Sequence, residues 1–203
     1  MTNDALSDRG RGGQVRMTNE ERKLAEAVAM LEGCREFCAL VPEVRVNIVY
    51  APEGADDTSE VLGVDGRITV VAGMPTASGP IHAGVSDHMA RLVIETRRND
   101  PSIRAGLNFR WNEAIHEHVQ GYCATKGLAF GSIDRTVEPK ELIGKDKGSI
   151  PWKVQHLVAA CGSVPPVFYE SRGWGKEPLF FLVGPDPVGV ASRAIEIAKG
   201  LAK

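Results

Sequence analysis

No stretch of this sequence approaches the roughly 20 consecutive apolar residues that span a bilayer. The first residues also lack the apolar core of a secretory signal. The expectation is a cytoplasmic protein with no membrane partner. Basic charge is not in excess either: 24 Lys and Arg stand against 26 Asp and Glu, a net charge of −2. That argues against a nucleic-acid partner, because a polyanion needs a basic face. Cysteine is scarce. The four present, Cys34, Cys38, Cys123 and Cys161, include no close zinc-type pair. A chain of 203 residues buries enough core to make disulfides unnecessary, so these thiols read as small buried apolar side chains. A Gly-x-Ser-x-Gly elbow is missing, as are internal repeats and any sign of a second domain. With 43% hydrophobic and 25% charged residues, the composition is that of one globular domain.

Residues 1–17 are polar, with Gly10, Gly12 and Gly13 among arginines. They cannot bury enough surface to offset the entropy of ordering and are read as a disordered tail, leaving 18–203 as the folded domain. Thr18 and Glu21 have capping-box spacing, and Leu24, Ala27, Val28 and Leu31 follow on one helical face. Strand character appears at Val44–Tyr50, Arg67–Val71 and Thr76–Ser78, with tight turns between, which implies antiparallel pairing. Helices are expected over Asp87–Arg98, Asn112–Lys126, Pro151–Cys161 and Pro187–Leu201, and strands over Ala105–Phe109, Leu128–Ile133, Val167–Glu170 and Leu179–Val183. Pro151 is taken as a first-turn proline. This order gives an α/β domain with a mixed sheet covered on both faces.

Cations and one imidazole sit at the ends of these elements. Ser86 is placed to cap the helix that carries His88 and Arg91, and the free amides of a first turn favour an anion. Arg67 follows the turn at Asp65-Gly66, where its fork could bind phosphate oxygens in a bidentate manner. Asn108 and Arg110 alternate with Phe109 and should face one side. Gly173-Trp174-Gly175-Lys176 has the glycines and lysine of a phosphate loop, but lacks the Walker spacing and precedes a strand, so a nucleotide P-loop is rejected. His88 alone is equally at home as a capping or packed side chain, and an arginine at a place such as Arg67 is more often simply solvated. Together these features point to a small phosphorylated ligand. His116-Glu117-His118 lies on a helix, where residues two apart diverge; a solvated face is the favoured reading, and no metal-ligating set is assigned.

The runs Pro42-Glu43-Val44-Arg45-Val46-Asn47-Ile48-Val49-Tyr50-Ala51, Gly66-Arg67-Ile68, Ser86-Asp87-His88-Met89-Ala90-Arg91, Asp100-Pro101-Ser102-Ile103-Arg104-Ala105, Pro151-Trp152 and Gly175-Lys176-Glu177-Pro178 resemble the ThiN-type (archaeal) thiamine-phosphate synthase family. The likeness runs in order from Leu24 to Ala198. It implies a three-layer α/β/α fold with a mixed, mostly antiparallel sheet, similar to class II aldolases. It also implies coupling of 4-amino-5-hydroxymethyl-2-methylpyrimidine diphosphate to thiazole phosphate, giving thiamine phosphate and pyrophosphate. The family's catalytic Arg and His match Arg67 and His88. Asn47, Ser86, Arg91, Asn108, Arg110 and Lys176 are the residues expected to bind substrate, with Mg²⁺ accompanying the diphosphate. The family occurs fused to a pyrimidine kinase or to a helix-turn-helix, and the short polar tail here suggests a stand-alone domain. A homo-oligomer and a separate pyrimidine kinase are the protein partners to look for. Two rival readings stay open: a sensor that binds thiamine phosphate without turnover, and, more distantly, a metal-dependent aldolase-like lyase.

Overall fold

In the computed structural model of the protein, residues 17–173 and 177–202 are described; Met1–Arg16 and the 174–176 part of the Gly-rich loop lie outside them. The first helix, α1 (Asn19–Glu32), begins as the capping box demands. The Thr18 hydroxyl accepts the Glu21 N–H at 3.1 Å, and the Glu21 carboxylate accepts the Thr18 N–H at 2.7 Å. Leu24, Ala27, Val28 and Leu31 are buried, as their spacing requires. The last helix, α5 (Pro187–Leu201), starts equally locally, with Asp186 accepting the Gly189 N–H and Pro187 in the first turn.

Between them run β1 (Ile48–Tyr50), β2 (Leu62–Val64), β3 (Ile68–Val71), β4 (Met74–Ala77), β5 (Ile81–Ala83), α2 (Asp87–Asn99), β6 (Ala105–Arg110), α3 (Glu113–Lys126), β7 (Phe130–Ile133), α4 (Asp146–Cys161), β8 (Val167–Glu170) and β9 (Leu179–Gly184). Seven strands form one sheet in the order β5-β2-β1-β6-β9-β8-β7. Every pairing is antiparallel except β7 with β8. Strand alternation sends Leu107, Phe109, Phe180 and Leu182 into a core under α1, α3 and α5. It sends Phe168, Phe181 and Val183 into a second core under α2 and α4. The molecule is therefore the three-layer α/β/α arrangement with a mixed, mostly antiparallel sheet.

Some expectations are corrected. The strand expected over Arg67–Val71 and its neighbour form a separate two-stranded ribbon, β3–β4. It turns through Ala72 and Gly73, both with positive φ, which gives the tight twist of a two-residue hairpin loop. The short strands β2 and β5 were not anticipated, because three residues carry too little pattern to read. Helix α4 begins at Asp146, so Pro151 lies inside it. The first turn closes without needing that missing N–H, because Gly148 and Ser149 both donate to the Lys145 carbonyl. Cys161 is exposed rather than buried, whereas Cys34 and Cys123 are buried. Burial pushes the Cys123 thiol up to about 11, far from a reactive thiolate.

Helix α2 can approach the sheet only because residue 106 has no side chain. A Cβ there would lie 2.8 Å from Val93 Cγ2 and 3.2 Å from Met89 Cε. Gly106→Ala is expected to destabilise the protein by about 1–3 kcal/mol through overpacking. It should also lower turnover, since α2 carries His88; denaturant melts and kcat measured together would show both, and an unaffected kcat would contradict the coupling.

Candidate active site

The sheet opens into a cavity of about 410 Å³ at one end of its strands. Antiparallel pairing brings the start of β1, the end of β2, the end of β6, the end of β8 and the start of β9 to that same end. Asn47, Asn108, Phe181, Leu179 and Glu170 line it from the strands and the residues beside them, together with Arg67, His88, Met89 and Arg135. Glu43, Val44 and Glu177 complete the rim.

Arg67 follows β2 in a left-handed backbone conformation, φ 70°, directly after Gly66 at φ 68°. A side chain in this region carries strain that persists only where the surroundings enforce it. They do so here: Arg67 N–H donates to the Val64 carbonyl at 3.1 Å, its own carbonyl accepts the Ser78 N–H at 2.9 Å, and its Nη1 donates to the Val44 carbonyl at 2.5 Å. That last bond uses one of the five N–H groups of the fork. No carboxylate of the described residues pairs with the guanidinium, so its charge is available to an anion. His88 lies in the first turn of α2, half-buried, on the same cavity.

Asn108 is buried, and its carboxamide is engaged with backbone. Oδ1 accepts the Asn47 N–H at 2.7 Å, and Nδ2 donates to the Arg45 carbonyl at 3.1 Å. Arg45 between them has φ 66°. Asn108 thus clamps the kinked segment that carries Val44 and Asn47 against the sheet, rather than offering its amide to a phosphate. Val44 is held a second time, its N–H donating to Glu177 Oε1 at 3.0 Å.

Three expected ligands stand elsewhere. Arg91 turns along its own helix to Asp87 at 2.5 Å, the i,i+4 pairing, and does not border the cavity. Arg110 ends β6 exposed and does not line the cavity. Ser86 occupies the N-cap of α2, but at ψ 87° its hydroxyl makes no capping bond, since that bond needs the more extended backbone of a standard N-cap. Lys176 lies outside the described residues. His116 and His118 do diverge, but not into solvent. His116 packs among Trp111, Phe130, Tyr169 and Phe180, and His118 Nε2 lies 3.0 Å from the Ile197 carbonyl.

What the sequence did not reveal is a buried ionic group beneath the cavity. Lys153 Nζ donates to Glu170 Oε2 at 2.6 Å, and Arg135 Nη1 lies 3.6 Å from the same oxygen. Arg135 also grips Glu138 Oε2 through Nε and Nη2 at 3.1 and 2.9 Å, while the Ser149 hydroxyl donates to Glu138 Oε1. Gly173 lies so close over the Arg135 guanidinium that a Cβ would collide with it. Two signals were available. Lys153 falls among Ile150, Val154 and Leu157 at helical spacing, and Glu170 shares a strand face with Phe168. Each puts a charge on an apolar stripe.

Burial pushes the Glu138 carboxyl up, but the Ser149 and Arg135 hydrogen bonds outweigh it and leave it below its ordinary 4.5. A depressed folded pKa means that the unfolded chain binds the proton first as pH falls. Glu138 therefore contributes stability above about pH 4.5 that is lost as pH drops through its folded value. Glu138→Gln is expected to flatten the fall in melting temperature between about pH 5 and 3; an unchanged slope would remove Glu138 from the acid response.

A second hollow of about 620 Å³ adjoins the first, sharing Glu43 and Glu177, with Trp111 and Arg172 on its wall. Among the described residues no group of three or more His, Cys, Asp or Glu could hold a metal ion, and no helix is long and apolar enough to cross a membrane.

Comparison with known proteins adds independent findings. The sequence pattern of the family described as thiamine-phosphate synthase ThiN matches residues 23–196. The chain is 37% identical over 183 residues to the thiamine-phosphate synthase ThiN of Methanothermobacter thermautotrophicus, covering 90% of this chain and 94% of that protein. It is 27% identical over 162 residues to the bifunctional thiamine biosynthesis protein ThiDN of Methanocaldococcus jannaschii, covering 79% of this chain but 36% of that protein. Among solved structures, the C-terminal domain of a phosphomethylpyrimidine kinase superposes with a TM-score of 0.80 at 31% identity, over 90% of this chain and 97% of that one.

Proposed function

This chain belongs to the ThiN family of thiamine-phosphate synthases, transferases of thiamine biosynthesis, and from that membership we propose how its cavity performs the coupling. The observation that carries the reading is the convergence of Arg67 and His88, from a β-turn and a helix start, on one cavity.

The pyrimidine diphosphate lies in the 410 Å³ cavity with its phosphates toward Arg67 and His88. The bond between the pyrimidine methylene and the diphosphate oxygen breaks, and the electron pair leaves with the oxygen. The methylene cation is stabilised by the aminopyrimidine ring. The thiazole nitrogen then donates its lone pair to the methylene carbon, giving thiamine phosphate and free pyrophosphate. Charge grows on the departing oxygens, so a fixed guanidinium at that place acts mainly on the transition state. An imidazole, able to donate or accept near neutrality, can hydrogen-bond or protonate the same oxygens. The adjoining hollow accommodates the thiazole phosphate, with Arg172 as a cation on its wall. Holding both substrates in line supplies a further share of the rate.

Magnesium fits this donor set as a companion of the substrate. It is commonly bound by one or two carboxylates plus substrate phosphates, and Glu43 and Glu177 at the rim are the carboxylates that would hold it, where it would neutralise the leaving group.

The test is formation of thiamine phosphate by the purified protein from the two substrates. Multiple turnovers are expected, with His88→Ala lowering kcat by about 10²-fold or more. Thiamine phosphate binding without turnover would instead make the protein a sensor.

A further inference from the structure

We propose that Glu170 is the specificity-determining residue for the pyrimidine, its Oε1 accepting a hydrogen bond from the ring's exocyclic amino group. This rests on the synthase reading above and deepens it. Glu170 is the last residue of β8 and is 5% exposed, yet it borders the cavity. Both cations that reach it, Lys153 and Arg135, approach Oε2. Oε1 is buried and, among the described residues, has no hydrogen-bond partner. The ionic group is otherwise complete: two cations balance two carboxylates, and both oxygens of Glu138 are bonded. A buried carboxylate oxygen without a donor at the edge of a cavity calls for one.

Its polarity is fixed. Lys153 and Arg135 both sit on Oε2, so Oε1 is the oxygen left to accept. A 4-amino-2-methylpyrimidine has one kind of N–H donor, its amino group; the ring nitrogens accept and the methyl and methylene do neither. Hence the amino edge is the edge that satisfies Oε1. The cavity has room for this pose. Glu170 at the end of β8 and Arg67 after β2 line this one cavity from different strands, so a ring at Glu170 has its diphosphate arm directed toward Arg67. Met89, Leu179 and Phe181 offer apolar surface to the ring. A carboxylate on the amino group also favours electron donation into the ring as the methylene becomes cationic, so the contact strengthens in the transition state.

The experiment compares kcat/KM for the 4-amino substrate and its 4-oxo analogue, which places an acceptor where the amino group places a donor, in the wild type and in Glu170→Gln. The wild type is expected to prefer the amino substrate by about 10³-fold or more, as sites built around a hydrogen bond do. In Glu170→Gln the amide oxygen stays with Lys153 and Arg135, and the NH₂ takes the place of Oε1. Turnover of the amino substrate should then fall, mainly in kcat, while the oxo analogue gains or holds, shrinking the preference at least tenfold. If the variant slows both substrates by one common factor, Glu170 is structural and the proposal is overturned. Wild-type use of the oxo analogue within tenfold of the amino substrate overturns it without any variant, so poor folding of Glu170→Gln does not protect it. Absence of any product from the wild type with the amino substrate would instead overturn the synthase reading itself and the inference with it.

Discussion

Arg67→Ala is expected to lower kcat for thiamine phosphate formation by about 10²–10³-fold, the loss seen when one fixed donor to a developing oxyanion is removed. The KM for the pyrimidine diphosphate should rise far less, because the guanidinium matters most once charge has moved onto the leaving oxygens. A backbone argument separates this effect from unfolding. Residue 67 sits at φ 70°, where a side chain costs roughly 1–2 kcal/mol relative to glycine. Arg67→Gly should therefore be more stable than Arg67→Ala and as inactive. Thermal melts and steady-state kinetics on both variants decide the matter. Retained turnover in either would sink the assignment. Instability of the glycine variant relative to the alanine one would show that left-handed strain at residue 67 does not set the stability of this turn.

Lys153→Met should destabilise the protein strongly, by roughly 3–5 kcal/mol, the cost of breaking a buried ion pair by removing one partner. For a chain of this length that is a drop in Tm on the order of 6–20 °C. Lys153 is fully buried and its ammonium is the closer of the two cations on Glu170. Methionine keeps the stem and removes the charge, so packing loss is minimised. The double variant Lys153→Met with Glu170→Gln should recover part of the loss, because the unpaired charge is then gone. Calorimetry of the three variants measures this. A single variant within about 1 kcal/mol of wild type would mean that solvent reaches Glu170 as it reaches exposed pairs.

Local signals placed the elements well. The Thr18 and Glu21 box set the start of α1, Gly127 the end of α3 with its left-handed backbone, and Asp186 with Pro187 the start of α5. Such signals act within a few residues and survive any tertiary context that leaves the element intact. The misplacements follow the same logic. Pro151 was read as a helix start because proline favours that position, whereas Lys145 supplies the acceptor that lets the helix begin earlier. The β3–β4 ribbon could not be told from sheet strands, since its residues have ordinary strand character and differ only in what they pair with.

The site was legible in kind and not in membership. Arg67, His88, Asn47 and Asn108 do converge on one cavity, while Arg91 and Arg110 do not. The i,i+4 spacing of Asp87 and Arg91 was the local sign that this arginine pairs along its own helix; nothing comparable marks Arg110. Arg135 and Glu170 are the reverse case, ordinary charges in the chain that become cavity walls when β8 pairs with β9 and α4 covers them.

The sequence by itself determined the helices, most of the strands and the two-sided burial of the sheet, because caps, turns and hydrophobic period are short-range. Only the tertiary structure decided the strand order β5-β2-β1-β6-β9-β8-β7, the clamp that Asn108 places on the Arg45 segment and the closed ionic group around Glu170. Those depend on side-chain directions across residues far apart in the chain, such as Asn47 with Asn108 and Lys153 with Glu170. Such directions are fixed only when the layers pack.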